Sequence, residues 1–365
     1  MNSLSNECLP QIDLVYIITL QNIRSIGRKT IWSILKILGE KKNNYDLNNY
    51  YKYNMNIGAL NGLLKDYEVD LKKINKNYKP PNEDDLNKAY SDAQIIIEYS
   101  KNNDIDIFPY YHTNYPKRLL EIADPPIIIY TKGNYECLNN DNSIAIIGTR
   151  QPTEYGAKQA HRMGELLATK HYIVTSGLAL GCDTKAHEGC IRRDGKTVAI
   201  LAHGLGVNIY PSENKKLAED IILKGGCLVS EYPPKDKISK RTLVERDRLQ
   251  SGLSKAVVVI ETDVVGGSMH TVSFCIKQKR ILACIRHPKD FLNYPQTKGN
   301  QKIIDETSNY GAHIIDCENN ESIHSFLNKV NLYHFMQKEV NNSQKNTIKQ
   351  RQKDKNGNNK KLFDF

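Results

Sequence analysis

SIAIIGTRQPTEYGAKQAHRMGELLATKHYIVTSGLALGCDTKAHEGCIRRDGKTVAIL, residues 143–201, holds three short apolar runs separated by two amphipathic stretches. The runs 143–147, 171–175 and 196–201 are strand-sized and apolar on both faces, and the stretches 154–169 and 182–193 carry apolar residues at helical spacing. Strands that bury both faces and are joined by helices form a parallel sheet covered on each side. The rhythm continues outward from this segment. Further strands are expected at 227–231, 256–260, 280–285 and 312–315, with helices near 212–224, 241–252, 268–278 and 300–310. Upstream, a helix at about 84–101, strands at Ile105–Phe108 and Ile127–Tyr130, and an irregular Tyr115-Pro116 segment lead into the series. The fold class is therefore α/β, and functional groups are expected at the C-terminal ends of its strands.

The flanks read differently. Residues 11–40 show two apolar helical stripes broken at Ser25-Ile26-Gly27, like a helix–hairpin–helix or another small helical unit. Such hairpins hold a DNA backbone through their amides elsewhere, but a single glycine in this one leaves a structural or partner-binding role equally open. Residues 41–80 are polar, rich in Tyr, Asn and Lys, and weakly periodic, and Pro80-Pro81 closes them. The expected division is a helical unit at 1–80, the α/β domain at 81–317, and a short helix at about 322–336 within a 318–365 segment that ends as a disordered basic tail.

The chain has 365 residues and a formal charge of +10. Residues 338–365 hold eight Lys/Arg against three Asp/Glu, so half of the excess lies in the tail and global basicity says little about partners. The eight cysteines include no CxxC pair and no Cys/His ligand spacing, which argues against structural zinc. The N-terminus lacks a basic segment followed by an apolar one, and the longest apolar runs, such as Ala256–Ile260, are too short to span a membrane. A reducing cytoplasm is the expected compartment, with no membrane association.

Four strand-end loops carry unusual chemistry. In Gly148-Thr149-Arg150 a glycine ends a strand, a guanidinium follows, and the next helix points its free N–H groups at the same place, which suits a phosphate; an ordinary turn with a surface arginine fits equally. The second loop, Ser176-Gly177-Leu178-Ala179-Leu180-Gly181, offers a hydroxyl and loop amides to phosphate oxygens. Asp183 and His187 follow it four residues apart on one helix face and read as an N-cap and a packed neighbour rather than a catalytic pair. In the third, Lys215 and Lys216 occupy the first turn of a helix, where cations oppose the dipole; a bound anion would explain them, and so would plain solvent exposure. The fourth combines Arg246 and Arg248, as phosphate contacts or as ion-pair partners of Glu231, Asp247 or Glu261, with Gly266-Gly267-Ser268 opening a helix. No nucleophile elbow, HExxH, Walker A or GxGxxG motif is present, so the loops describe a binder without catalytic residues, metal or cofactor.

Taken together, TNYPKRLLEIADPPIIIYTKG (113–133), SIAIIGTR (143–150), IVTSGLALGCDTKAHEG (173–189), TVAILAHGLGVNIYPSENKKL (197–217), LVSEYPP (228–234), ERDRLQSGLSKAVVVIE (245–261) and GGSMHTV (266–272) resemble the DNA-processing protein A family, also called Smf. The resemblance implies an extended Rossmann-like domain behind a small helical domain of the SAM or helix-hairpin-helix kind. It also implies sequence-independent binding of single-stranded DNA, a homodimer, and loading of a RecA-type recombinase during natural transformation. The backbone-contacting pocket would then comprise Gly148, Thr149, Arg150, the Ser176–Gly181 loop, Lys215 or Lys216, Arg246, Arg248 and Gly266-Gly267-Ser268. The chain departs from the family's usual pattern at Cys182, where Ile is common, and at Asp247, where Asn is common, and residues 318–365 are too short and polar for the winged-helix-like module of many members. The alternative is a nucleotide-binding enzyme or sensor, either phosphoribohydrolase-like or part of phage-defence signalling. Aligned on Gly266-Gly267, however, the PGGxGTxxE signature of those hydrolases meets Val265, Met269, His270 and, at the catalytic glutamate, Ser273.

Overall fold

A computed structural model describes residues 12–42 and 56–333. Five helices come first: α1 (Leu14–Asn22), α2 (Arg28–Lys42), α3 (Ile57–Asp66), α4 (Glu68–Ile74) and α5 (Glu83–Asn102). The alternating part follows as β1 (Asp106–Pro109), β2 (Ile128–Gly133), β3 (Ser143–Ile147), α6 (Glu154–Thr169), β4 (Ile173–Ser176), α7 (Cys182–Arg192), β5 (Thr197–Ile200), α8 (Lys215–Leu223) and β6 (Cys227–Ser230). It ends with α9 (Lys240–Leu253), β7 (Ala256–Val259), α10 (Ser268–Lys277), β8 (Ile281–Arg286), α11 (Lys298–Asp305), α12 (Thr307–Tyr310), β9 (His313–Asp316) and α13 (Asn320–Asn331). The expected basic tail lies outside the described residues.

The strands form one sheet in the order β1-β2-β6-β5-β4-β3-β7-β8-β9. From β6 to β9 every pairing is parallel, as the doubly apolar strands predict. Only β2 runs against its neighbours, antiparallel to both β1 and β6. Between β1 and β2 the chain makes a single short 3-10 turn at Lys117–Glu121 and has no α-helix to carry it across a face, so it returns beside β1 in the opposite sense.

Alternation along each strand sorts the core into two layers. Ile144, Ile146, Val174 and Val258 face Met163 and Leu167 of α6, Ala186 of α7 and Phe326 of α13. Ala145, Ile147, Val257 and Val259 face Val272 and Cys275 of α10 and Ile303 of α11. At the β1 side, Ile129, Ile200 and Val229 join Leu249 and Leu253 of α9, Leu86 of α5 and Ile17 of α1 in one continuous cluster. The break expected at Ser25-Ile26-Gly27 separates α1 from α2. The polar 41–80 stretch proves partly helical: Leu60, Leu64 and Leu71 supply enough of a stripe to dock α3 and α4, and the Asn56 side chain caps α3 by accepting from the Ala59 amide at 2.8 Å.

One buried ionic cluster ties these parts together. Arg248 of α9 donates from Nη1 to Glu231 Oε1 at 2.5 Å, from Nη2 to Glu231 Oε2 at 2.6 Å, and from Nε to the Asp124 carbonyl at 2.9 Å. Arg28, at the start of α2, reaches the same Glu231 at 2.9 Å and grips Asp124 with two further donors. Burial works against the Asp124 charge, but the Arg28 hydrogen bond and the charges of Arg28 and Arg248 hold its carboxyl below the ordinary aspartate value. A depressed carboxyl stabilises the fold above its unfolded pKa and loses that contribution as pH falls through the folded one, so this cluster weakens in acid. Glu231→Ala removes the carboxylate shared by two guanidinia, one of them fully enclosed. It is expected to cost about 3–5 kcal/mol in urea unfolding at neutral pH. Asp124→Ala, at a carboxylate whose side chain is 34% exposed, should cost distinctly less.

Candidate nucleic-acid interface

After β6 the chain crosses back along α9, which packs across β5, β4 and β3, and enters β7 on the far side of β3. Loops at the C-terminal ends of β3 and β7 therefore leave in opposite directions and open a crevice between them. It is a groove of about 440 Å³, walled by Gly148, Thr149 and Arg150 after β3, Ala179 and Asp183 after β4, Arg246, Asp247 and Gln250 of α9, and Gly266, Gly267 and Ser268 where α10 begins. A smaller recess lined by Leu180, Leu201, Tyr210 and Ile238 adjoins it, and Arg150, Ala179 and Arg246 border both.

Several donors expected to be free for an anion are already engaged within the chain. The N-terminus of α6, which the Gly-Thr-Arg turn was expected to leave open, is filled by the carboxylate of Glu261. This buried side chain accepts from the Thr153 amide at 2.8 Å and from its hydroxyl at 2.5 Å, while Thr153 Oγ1 accepts from the Gly156 amide. A Cβ on Gly156 would stand 2.2 Å from that carboxyl carbon, so the glycine there makes room for an internal anion. Gly148 likewise serves close packing, since a Cβ would lie 2.4 Å from Cys182 Sγ, and the Thr149 amide donates to the Glu261 carbonyl. In the second loop Ser176 is wholly buried and donates to the Ile146 carbonyl at 2.6 Å. The amides of Gly177 and Ala179 turn inward to Asp183 Oδ2 at 3.1 and 3.3 Å. Asp183 thus caps the loop, and Gly181, at φ +80°, occupies the N-cap position of α7.

The basic residues divide just as sharply. Arg150 is exposed, pairs with nothing among the described residues, and stands where groove and recess meet. Arg246 forms the floor: Nη1 donates to the Gly177 carbonyl at 2.5 Å and to that of Ile200, Nε reaches Asp247 at 3.2 Å, and Nη2 has no protein acceptor among the described residues. Arg248 belongs to the ionic cluster and borders neither cavity, which removes it from the expected contact set. Lys215 and Lys216 are exposed outside both cavities, with Lys216 paired to Asp220 at 2.9 Å. Lys240 and His270, not singled out from the sequence, do line the groove. Where α10 begins, just before His270, the backbone is open: a Cβ on Gly267 would meet nothing within 4 Å.

The titratable groups behave as packing elements. His187 is buried with Nδ1 at 2.7 Å from Thr197 Oγ1; that hydroxyl donates onward to the Val174 carbonyl, so the ring donates from Nδ1. Burial, with the Arg246 charge adding to it, drives its pKa down to about 3 and keeps it neutral. Burial pushes the Asp183 carboxyl up to about 6 against the opposing charge of Arg246, and it also raises Asp247. Asp183 and His187 address different partners and form no acid–base couple. Among the described residues no group of three or more His, Cys, Asp or Glu side chains could hold a metal ion.

Residues 106–327 match the family model of the DNA recombination-mediator protein A. The DNA processing protein DprA of Bacillus subtilis is 33% identical over 196 residues, covering 54% of this chain and 65% of that protein, so the matched stretch is under two thirds of the relative's length. The crystal structure of DprA from Streptococcus pneumoniae superposes with a TM-score of 0.67 at 25% identity over 86% of this chain and 98% of that one. A Helicobacter pylori DNA processing protein A, whose structure describes a single-stranded DNA binding mode, superposes with a TM-score of 0.53 at 26% identity over 62% of this chain and 96% of that one.

The Asp183 carboxyl makes a test of the groove's inner wall. Its folded pKa of about 6 lies above the unfolded value, so its contribution is fully present below about pH 4 and is lost as pH rises through 6. By pH 7 the charged form costs on the order of 3 kcal/mol. Urea unfolding of wild type and Asp183→Asn at pH 4, 5.5 and 7 should show wild type losing ground to the variant as pH rises; a constant difference would contradict the assignment.

Proposed function

The chain belongs to the DNA recombination-mediator protein A family, and from that membership we propose that it binds single-stranded DNA in the groove between the ends of β3 and β7, without sequence preference. The observation that carries this reading is Arg150: an exposed guanidinium with no protein partner among the described residues, at the junction of a groove bordered by charged side chains and a smaller recess. A phosphodiester crossing the groove meets Arg150 from one wall, Lys240 from α9, the open start of α10 at Gly267 and Ser268 from the other, and Arg246 Nη2 from below. Such contacts hold backbone and read no base edges, which is how sequence-independent binding arises. The single-stranded DNA binding mode described for the Helicobacter pylori relative supports the choice of ligand.

The same family reading extends to the whole protein as a cytoplasmic homodimer that is not an enzyme and that passes the strand to a RecA-type recombinase during DNA uptake and recombination. Its parts would be a helical unit over residues 1–80, the binding domain over 81–317 and a basic extension beyond. The two inner carboxylates of the groove support binding over catalysis: Asp183 accepts from two loop amides and Asp247 from Arg246 and Gln250, so both are engaged in holding the groove's own wall and floor.

Arg150→Ala is expected to weaken binding of labelled oligo-dT about tenfold, and to flatten the plot of log K against log salt by about 0.7. Tight binding of nucleoside monophosphates, or release of a base from them, with no binding of oligo-dT would overturn the reading in favour of a nucleotide enzyme or sensor. Strand invasion by a recombinase on single strands precoated with a competing binding protein should be accelerated by the wild-type chain, and an unchanged rate would remove recombinase loading from the proposal.

A further inference from the structure

The groove's rim continues past β7 into the segment that follows β8. There Gln296 Nε2 donates at 3.2 Å to the carbonyl of Gln151, the residue after Arg150, which fixes this segment beside the Arg150 loop. Phe291 packs on Tyr155 in the first turn of α6, with ring centroids 5.2 Å apart, and Tyr294 stacks on Phe291 at 5.9 Å with an interplanar angle of 29°. The backbone beneath the rings is firmly held. The buried Thr297 hydroxyl lies 3.0 Å from the carbonyls of both Phe291 and Tyr294, and Gln301 and Lys298 both donate to the Leu292 carbonyl at 2.7 Å. Tyr294 nevertheless leaves 48% of its surface in solvent. Arg286 and Lys289 precede it in the same segment, both exposed and neither in a salt bridge among the described residues; the acidic neighbours are Asp290, next to Lys289 in the chain, and Asp316, in register with Arg286 across β8 and β9.

A braced, half-exposed aromatic, in a segment that also carries two cations outside any salt bridge of the described residues and that Gln296 hydrogen-bonds to the loop carrying Arg150, has the make-up of a base-stacking platform. We propose that Tyr294, backed by Phe291 and Tyr155, stacks on a base of the same single strand whose phosphates cross the groove at Arg150, with Arg286 and Lys289 meeting the adjoining backbone. This rests on the reading of the groove as a single-stranded DNA site. A duplex keeps its bases stacked on one another, so the platform favours single strands over double without reading their sequence.

The chain's one tryptophan, Trp32, is buried, so Tyr294→Trp places a second indole where its emission reports on stacking. With a 20-residue oligo-dT, Tyr294→Ala should weaken binding about tenfold, and Tyr294→Trp should bind with wild-type affinity and lose fluorescence on saturation. An abasic strand of equal length should bind wild type and Tyr294→Ala alike and leave the emission of the introduced indole unchanged. Wild-type affinity of Tyr294→Ala for oligo-dT, or equal quenching by the abasic strand, overturns the platform. If Arg150→Ala weakens binding while Tyr294→Ala does not, the groove stands and the platform falls; if wild type fails to bind oligo-dT, both fall.

Discussion

The carboxylate of Glu231, shared between Arg248 and Arg28, is the contact on which the rest of the arrangement depends. It leaves the end of β6, holds α9 through one guanidinium and the start of α2 through another, and Asp124 closes the set from the chain leading into β2. A buried pair of this kind adds little net stability over an apolar contact, yet breaking it strands a charge. Its value here is positional. With Arg248 fixed on one side of α9, the opposite side is fixed as well, and that side is the floor of the groove, with Arg246, Asp247 and Gln250 on it.

Helix geometry explains why the sequence separated these arginines poorly. Residues two apart on a helix point about 200° away from each other, so Arg246 and Arg248 cannot serve one ligand once 240–253 is helical. The groove side instead follows Lys240, Leu243, Asp247 and Gln250, a spacing of three and four that was legible and that marks Lys240 as well. The strands were readable because apolar residues fill both faces of β3, β4, β5 and β7. The reversal of β2 was not, since it depends on what the connection lacks rather than on any residue within the strand. Glu261 was visible as a carboxylate at a strand end, but its partner Thr153 lies 108 residues away, and no local pattern reports a contact of that range. The inward turn of the Gly177 and Ala179 amides hid for a related reason: small residues allow a loop to wrap a ligand or its own aspartate, and Asp183 decides which.

The groove that results is charged in both senses. Arg150, Lys240 and Arg246 share it with Asp183, Asp247 and Asp263. Burial opposes ionisation of Asp183 and Asp247, and Asp247 sits against Arg246, so the inner carboxylates and the floor arginine largely answer one another. The field offered to a passing anion comes chiefly from the outer cations, Arg150 foremost, where solvent and salt reach it easily.

Glu261 gives this site its particular grammar. The deepest anion seat in such a crevice is the helix start beyond β3, where a terminal phosphate would anchor a small molecule by its end. The fold seats its own carboxylate there for good, behind Gly156 and Thr153. What remains for an outside anion is the outer groove, where Arg150, Lys240 and the start of α10 meet solvent, a set of contacts that a polymer backbone can satisfy at any point along its run. A ligand with an end to plug in finds that socket taken, and one with only a middle to offer can be gripped anywhere along its length.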